Sequence, residues 1–156
     1  MERKITDRNL DVDADIPEEP ILVLGDKDMI TQVIYNLLEN ATKFAREGST
    51  LYLGVTTIDG KARVTVRNVG DTIPAEELPL LFERFHKSDK SRSEDKDGVG
   101  LGLYIVRTIL EQHREKITVS SQDGVTTFTF TVQLAEEARP AKESKSSREA
   151  KLAKNG

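Results

Sequence analysis

With 156 residues, no cysteine and only two histidines, the chain is the size of one domain. Disulfide scaffolds, thiolate metal sites and cysteine nucleophiles are excluded, and little is left for an imidazole metal centre. A composition 37% apolar and 32% charged suits a globular core with some solvated chain attached, and a net charge of −4 argues against broad nucleic-acid binding.

Residues 1–25 alternate polar and apolar (Ile5, Leu10, Val12, Ile16) and end in the run ILVL, which predicts two short strands parted by the turn-prone PEEP. The longest apolar runs are far shorter than the roughly 20 residues a bilayer span requires. The start MERKITDRNL also lacks the apolar core of a signal peptide. A cytoplasmic location is therefore expected, compatible with a larger, membrane-anchored parent.

Met29, Ile30, Val33, Ile34, Leu37, Leu38, Ala41 and Phe44 then recur at spacings of three and four, predicting a helix capped by Asp26 or Asp28 and closed by Gly48. Two β-rich runs flank Asp59-Gly60, a strong hairpin signal. Residues 70–99 have little periodicity, and HKSDKSRSEDKDGVG reads as a long mobile loop, expected to be poorly ordered without a ligand. A second helix starts near Gly100, and a last hairpin forms around Asp123-Gly124. From Ala135 the composition becomes polar and charged, so residues 135–156 are expected to form a disordered tail after a domain of residues 1–134. The order β β α β β loop α β β predicts an α+β two-layer sandwich, with a mixed, mostly antiparallel sheet and helices on one face.

Three segments carry candidate chemistry. Asn36, Asn40 and Lys43 share one face of the first helix. Asn is a poor helix former whose amide needs partners when buried. Its carbonyl oxygen suits a hard cation such as Mg²⁺, and Lys43 supplies a point charge for a phosphate. GVGLGL (residues 98–103) joins the charged loop to the second helix. There, glycines let a ligand approach the backbone, and helix amides attract anions. In RNVGDTIP, Asn68 ends a strand beside Gly70, where a short acceptor could read the exocyclic amine of adenine. Taken singly, the first is equally an ordinary solvated helix face, and the other two read as a loop-to-helix turn and an Asn-Gly-type turn.

Together with the paired-Phe segment LFERF and in this order, QVIYNLLENATKF, NVGDTIP and GVGLGL resemble the ATP-binding catalytic domain of sensor histidine kinases. That family shares a Bergerat-type superfamily with DNA gyrase, Hsp90 and MutL. The resemblance covers roughly residues 5–134. It implies Asn40 as the Mg²⁺ ligand with Asn36 beside it, Lys43 near the phosphates, and Phe44 against adenine. NVGDTIP stands where the family has DxGxGI. Asn68 replaces the Asp, keeping an acceptor while losing the charge, and Thr72 replaces the second Gly; Gly70 and Ile73 match. LFERF implies Phe82 and Phe85 as anchors of an ATP lid over residues 86–99, with Lys87 and Arg92 reaching the γ-phosphate. Gly98, Val99, Gly100, Leu101, Gly102 and Leu103 would form the glycine-rich phosphate turn. Thr126 in GVTTF falls near adenine, with Val125 where Gly is usual. HREK departs from the family's HGG, so His113 is expected to be structural.

The resemblance implies a domain that binds Mg·ATP and donates the γ-phosphate to a histidine elsewhere. That histidine would lie on a separate dimerisation and phosphotransfer domain of the parent, with a response regulator as the parent's partner. No acceptor motif such as H-E-L-R-T-P is present, and the chain alone is expected to be monomeric. One alternative is a gyrase- or Hsp90-type ATPase, but Asn36 falls where those proteins place a general-base Glu. The other is a docking module with a decayed nucleotide site.

Overall fold

The computed structural model describes residues 2–84 and 101–135. Its elements are α1 (Glu2–Asp7), β1 (Asp11–Asp15), α2 (Lys27–Phe44), β2 (Thr50–Ile58), β3 (Lys61–Val69), a 3₁₀ turn (Leu78–Leu80), α3 (Gly102–Gln112), β4 (Ile117–Gln122) and β5 (Val125–Gln133). The five strands form one sheet in the order β1-β2-β3-β5-β4. The β1–β2 pair is parallel and the other three are antiparallel, matching the predicted mixed sheet.

Alternation along β3 and β5 decides which face is covered. Ala62, Val64, Val66 and Asn68 are buried on β3, as are Thr126, Phe128, Phe130 and Val132 on β5, while the residues between them are exposed or half-buried. A one-sided antiparallel sheet has this pattern. The covered face carries α2 and α3, whose Val33, Leu37, Ala41, Val106, Ile109 and Leu110 join the sheet residues in one core. Both two-residue hairpins have left-handed central pairs, with φ of 53° and 77° at Asp59-Gly60 and 53° and 81° at Asp123-Gly124. These are the type I′ turns that DG favours.

The first 25 residues differ from the expected pair of strands. Glu2–Asp7 is a helix. It ends at Asn9, whose φ is 57°, and the Leu10 amide bonds back to the Ile5 carbonyl at 2.9 Å. Asn tolerates this left-handed position, so Asn9 acts as a helix stop. β1 is an edge strand with every residue exposed; Val12 and Ile16 are 53% and 52% exposed. Three aspartates on this edge discourage pairing with another chain. The ILVL run contributes only a bridge, Val23 to Leu134. Ala135 is buried and donates to the Leu22 carbonyl, so ordered packing reaches one residue beyond the composition change. Residues 136–156, expected to form the tail, lie outside the described residues.

Asp26 caps α2, its Oδ1 accepting from the Met29 amide at 3.0 Å. The helix ends at Phe44 rather than at Gly48. Ala45 is extended (φ −72°, ψ 143°), its carbonyl accepts from the Arg8 guanidinium, and the Arg46 amide donates to Val69. Gly48, at φ 82°, belongs to the following turn. α3 begins at Gly102, two residues later than expected.

His113 is structural, as expected. Its Nε2 accepts from the Asp26 amide at 3.1 Å and its Nδ1 faces the Ile109 carbonyl at 2.8 Å, tying the end of α3 to the start of α2. The next residue, Arg114, has φ 60°, and the Glu115 amide bonds back to Leu110 at 2.8 Å. This is a left-handed helix stop of the kind glycine usually occupies. Arg114→Gly is accordingly expected to stabilise the chain by about 0.5–1 kcal/mol, after allowing for the entropy of glycine in the unfolded chain. A urea midpoint that fell instead would show that the Arg114 side chain contributes more than its backbone strain costs.

Candidate functional site

The candidate residues are arranged along α2. Asn36, Asn40 and Phe44 stand at successive turns of this helix. At one end, Asn36 is buried (8% exposed). Its Nδ2 donates to the Gly102 carbonyl at 3.2 Å and its Oδ1 accepts from Gln32 at 2.7 Å. Asn36 therefore joins α2 to the first residue of α3. At the other end, the α2 terminus presses against the turn after β3. A Cβ on Gly70 would lie 2.4 Å from the Phe44 carbonyl oxygen, a distance that backbone atoms cannot tolerate. Gly70 is required here for close approach. Asn40 lies between these two contacts, half-buried, and its carboxamide has no hydrogen-bond partner among the described residues. Lys43 places its ammonium 5.6 Å from the centre of the Phe44 ring, a cation–π distance.

Beyond Gly70, one row of the covered sheet face is polar. Strand register aligns Asn68 with Thr126 and Thr126 with Ser121, directly beyond the apolar row of Val66, Phe128 and Val119. Asn68 and Thr126 are each 4% exposed. The Thr126 and Ser121 hydroxyls are 2.8 Å apart, and Ser121 Oγ accepts from the Ile73 amide at 2.8 Å. Asn68 differs. Its carboxamide has no hydrogen-bond partner among the described residues, which leaves an acceptor and a donor available at the end of the row.

Thr72, which departs from the glycine of the family pattern, has a definite task. Its Oγ1 accepts from the Gly124 amide at 2.7 Å, while the Gly70 amide donates to the Gly124 carbonyl at 2.7 Å. With the Ser121 bond to Ile73, these contacts fasten residues 70–73 to the β4–β5 hairpin. Sequence reasoning noticed Thr72 only as a departure and passed over Ser121, which gives no local signal. Thr72→Val keeps the shape and removes the acceptor. It is expected to cost about 1 kcal/mol, since the freed amide is near solvent, and to speed hydrogen exchange at the Gly124 amide. Unchanged exchange there would remove Thr72 from this role.

The start of α3 is open. Leu101 precedes it without a side-chain cap bond, leaving the first amides of the helix without a side-chain acceptor among the described residues. A Cβ on Gly102 would meet nothing within 4 Å, so neither packing nor a left-handed φ explains this glycine. Leu101 and Leu103 are half-buried, and Leu103 packs on the core. Phe82 anchors the LFERF segment, its ring edge-on to Phe128 at 6.0 Å and 89°. Tyr104, on the first turn of α3, accepts from Arg84 at 3.3 Å and lies beneath Arg84 and Arg107, 5.1 and 5.8 Å from its ring centre. The hydrogen bond from Arg84 and its charge hold the Tyr104 phenol below the usual tyrosine range.

The structure thus gathers Asn36, Asn40, Lys43, Phe44, Asn68, Gly70, Ile73, Thr126 and the Leu101–Gly102–Leu103 turn around α2 and its two contacts. Phe85, Lys87, Arg92, Gly98, Val99 and Gly100, with the whole expected lid, lie outside the described residues. Among the described residues no group of three or more His, Cys, Asp and Glu could hold a metal ion. No described helix is long and apolar enough to cross a membrane.

Residues 25–136 match the family model described as histidine kinase-, DNA gyrase B-, and HSP90-like ATPase. The chain is 37% identical over 110 residues to the sensor histidine kinase CusS of Escherichia coli strain K12, covering 70% of this chain and 23% of CusS. It is 36% identical over 121 residues to the probable sensor kinase SilS of Salmonella typhimurium, covering 78% and 24%. The chain spans about a quarter of the length of these curated relatives. Among solved structures, the nucleotide-free catalytic domain of histidine kinase ThkA superposes with a TM-score of 0.74 at 31% identity, covering 88% of each chain. ThkA in complex with response regulator protein TrrA superposes at 0.70 and 29%, covering 88% of this chain and 38% of that one.

Proposed function

Because the chain belongs to the histidine kinase-, DNA gyrase B- and HSP90-like ATPase family, among the catalytic domains of sensor histidine kinases, we propose that it binds Mg·ATP and donates the γ-phosphate to a histidine on another domain of its parent. The observation that carries this reading is the carboxamide of Asn68, which has no hydrogen-bond partner among the described residues, at the end of a polar row. An adenine 6-amino group donating to Asn68 Oδ1 satisfies it. The uncapped amides of α3, opened by Gly102, suit an anion, and Lys43 adds positive charge from α2.

Asn40 offers a neutral oxygen donor between the two ends of the site and is the residue to hold magnesium. Held there, magnesium would supply positive charge to offset that of the phosphates. Phosphoryl transfer asks the protein chiefly to position the phosphates and stabilise charge, which amides, Asn40 and Lys43 can do without a nucleophile of their own. Lys87 and Arg92 are assigned to the γ-phosphate from the resemblance alone.

Hydrolysis of the gyrase type needs a general base, and an amide at Asn36 cannot serve. Its carboxamide is also engaged by Gly102 and Gln32. Both ring nitrogens of His113 face backbone partners and His86 stands in no acceptor motif, which supports an acceptor histidine on a dimerisation and phosphotransfer domain elsewhere in the parent. A response regulator is then the downstream partner, as TrrA is a partner of ThkA in their complex. The same reading makes this chain a cytoplasmic, monomeric module of a parent kinase. Calorimetric titration with a non-hydrolysable ATP analogue, with and without Mg²⁺, tests it. Magnesium-dependent heat is expected, and silence at millimolar nucleotide refutes it.

A further inference from the structure

We infer that the site accepts 6-oxopurine nucleotides about as readily as adenine nucleotides, with Asn68 as the specificity-determining residue; this inference rests on the nucleotide reading above. A carboxamide presents one acceptor and one donor side by side. At the 6-position adenine offers an amino donor, whereas hypoxanthine and guanine offer the O6 acceptor. Turning the Asn68 amide by half a rotation about its last side-chain bond presents its acceptor to the first or its donor to the second.

Only a protein partner holding the amide in one orientation would prevent that turn, and among the described residues none does so. Thr126, its cross-strand neighbour, has its hydroxyl 2.8 Å from Ser121 Oγ, and Ser121 accepts from the Ile73 amide. This chain of hydroxyls runs towards the turn at residues 70–73 and makes no bond to the Asn68 amide. Asn68 is thus placed by the pairing of β3 with β5, and no described residue fixes which way its amide is turned. A carboxylate in the same place would offer acceptors only. Meeting the 6-position with one oxygen and directing the other away from N1, it would take the adenine amine and repel O6 of an oxopurine.

The test compares Mg·ADP with Mg·IDP, two ligands differing only at the 6-position and N1, by calorimetry on the full chain. Wild type is expected to bind the two with Kd values within about tenfold, and Asn68→Asp is expected to widen the preference for ADP by at least about tenfold. A wild-type preference for ADP above tenfold overturns the inference and needs no variant. An Asn68→Asp ratio equal to wild type overturns the assignment to Asn68. If wild type binds neither ligand, the nucleotide reading itself has failed and this inference falls with it.

Discussion

An Asn40→Ala chain is expected to remain folded and to lose the magnesium-dependent part of nucleotide binding. Asn40 is half-buried on α2, midway between the Asn36 contact with α3 and the Phe44 contact with Gly70. Its carboxamide has no hydrogen-bond partner among the described residues, so truncation breaks no bond there, and alanine is the best helix former. Stability should hold or rise slightly. The loss falls on the cation instead. An oxygen donor to a charged group is worth about 1.5–3 kcal/mol, roughly a tenfold to hundredfold weaker Kd in the presence of Mg²⁺. Without Mg²⁺ the two chains should bind an ATP analogue alike. Equal weakening with and without the metal would assign Asn40 to the nucleotide rather than to the cation.

Phe128→Ala is expected to destabilise the chain by about 3–5 kcal/mol, read as a shift of the urea midpoint. Phe128 is 1% exposed at the centre of the covered sheet face, paired with Val66 on one side and Val119 on the other. The Phe82 ring stands edge-on against it at 6.0 Å. Alanine leaves a cavity between rigid strands, which close poorly, and removes the surface on which Phe82 rests. A domain stable by about 5–15 kcal/mol loses much of its margin. Phe128→Leu, which retains most of the volume, should cost less than half as much. Equal losses for the two variants would show that the ring contact with Phe82, rather than the volume, carries the energy.

Local signals predicted the parts of the fold that local physics controls. The apolar spacing from Met29 to Phe44 gives α2, and Asp26 supplies its cap. The two Asp-Gly pairs give both hairpins because Asp-Gly is among the few pairs that readily accept φ near +50° and +80°. The same chemistry at Asn9 was also present in the sequence, yet the polar-apolar alternation outweighed it, and α1 reads there as a strand. Val12 and Ile16 alternate correctly for a half-buried strand but lie on a fully exposed edge. Alternation reports which side chains share a face and carries no information on whether another element covers that face.

By itself, the sequence determined the α+β class, the helix that carries Asn36, Asn40 and Lys43, and the turns that set the strand register. Each depends on residues within a few positions of one another. Only the tertiary structure decided that Asn36 is engaged by Gly102 while Asn68 has no partner among the described residues, and that Gly70 is required by the Phe44 carbonyl. It alone decided that Thr72 and Ser121 hold one turn from a hairpin about fifty residues away along the chain. Burial and hydrogen-bond satisfaction are set by which distant segments meet, and a residue's type states what it can bond to without stating what will be there.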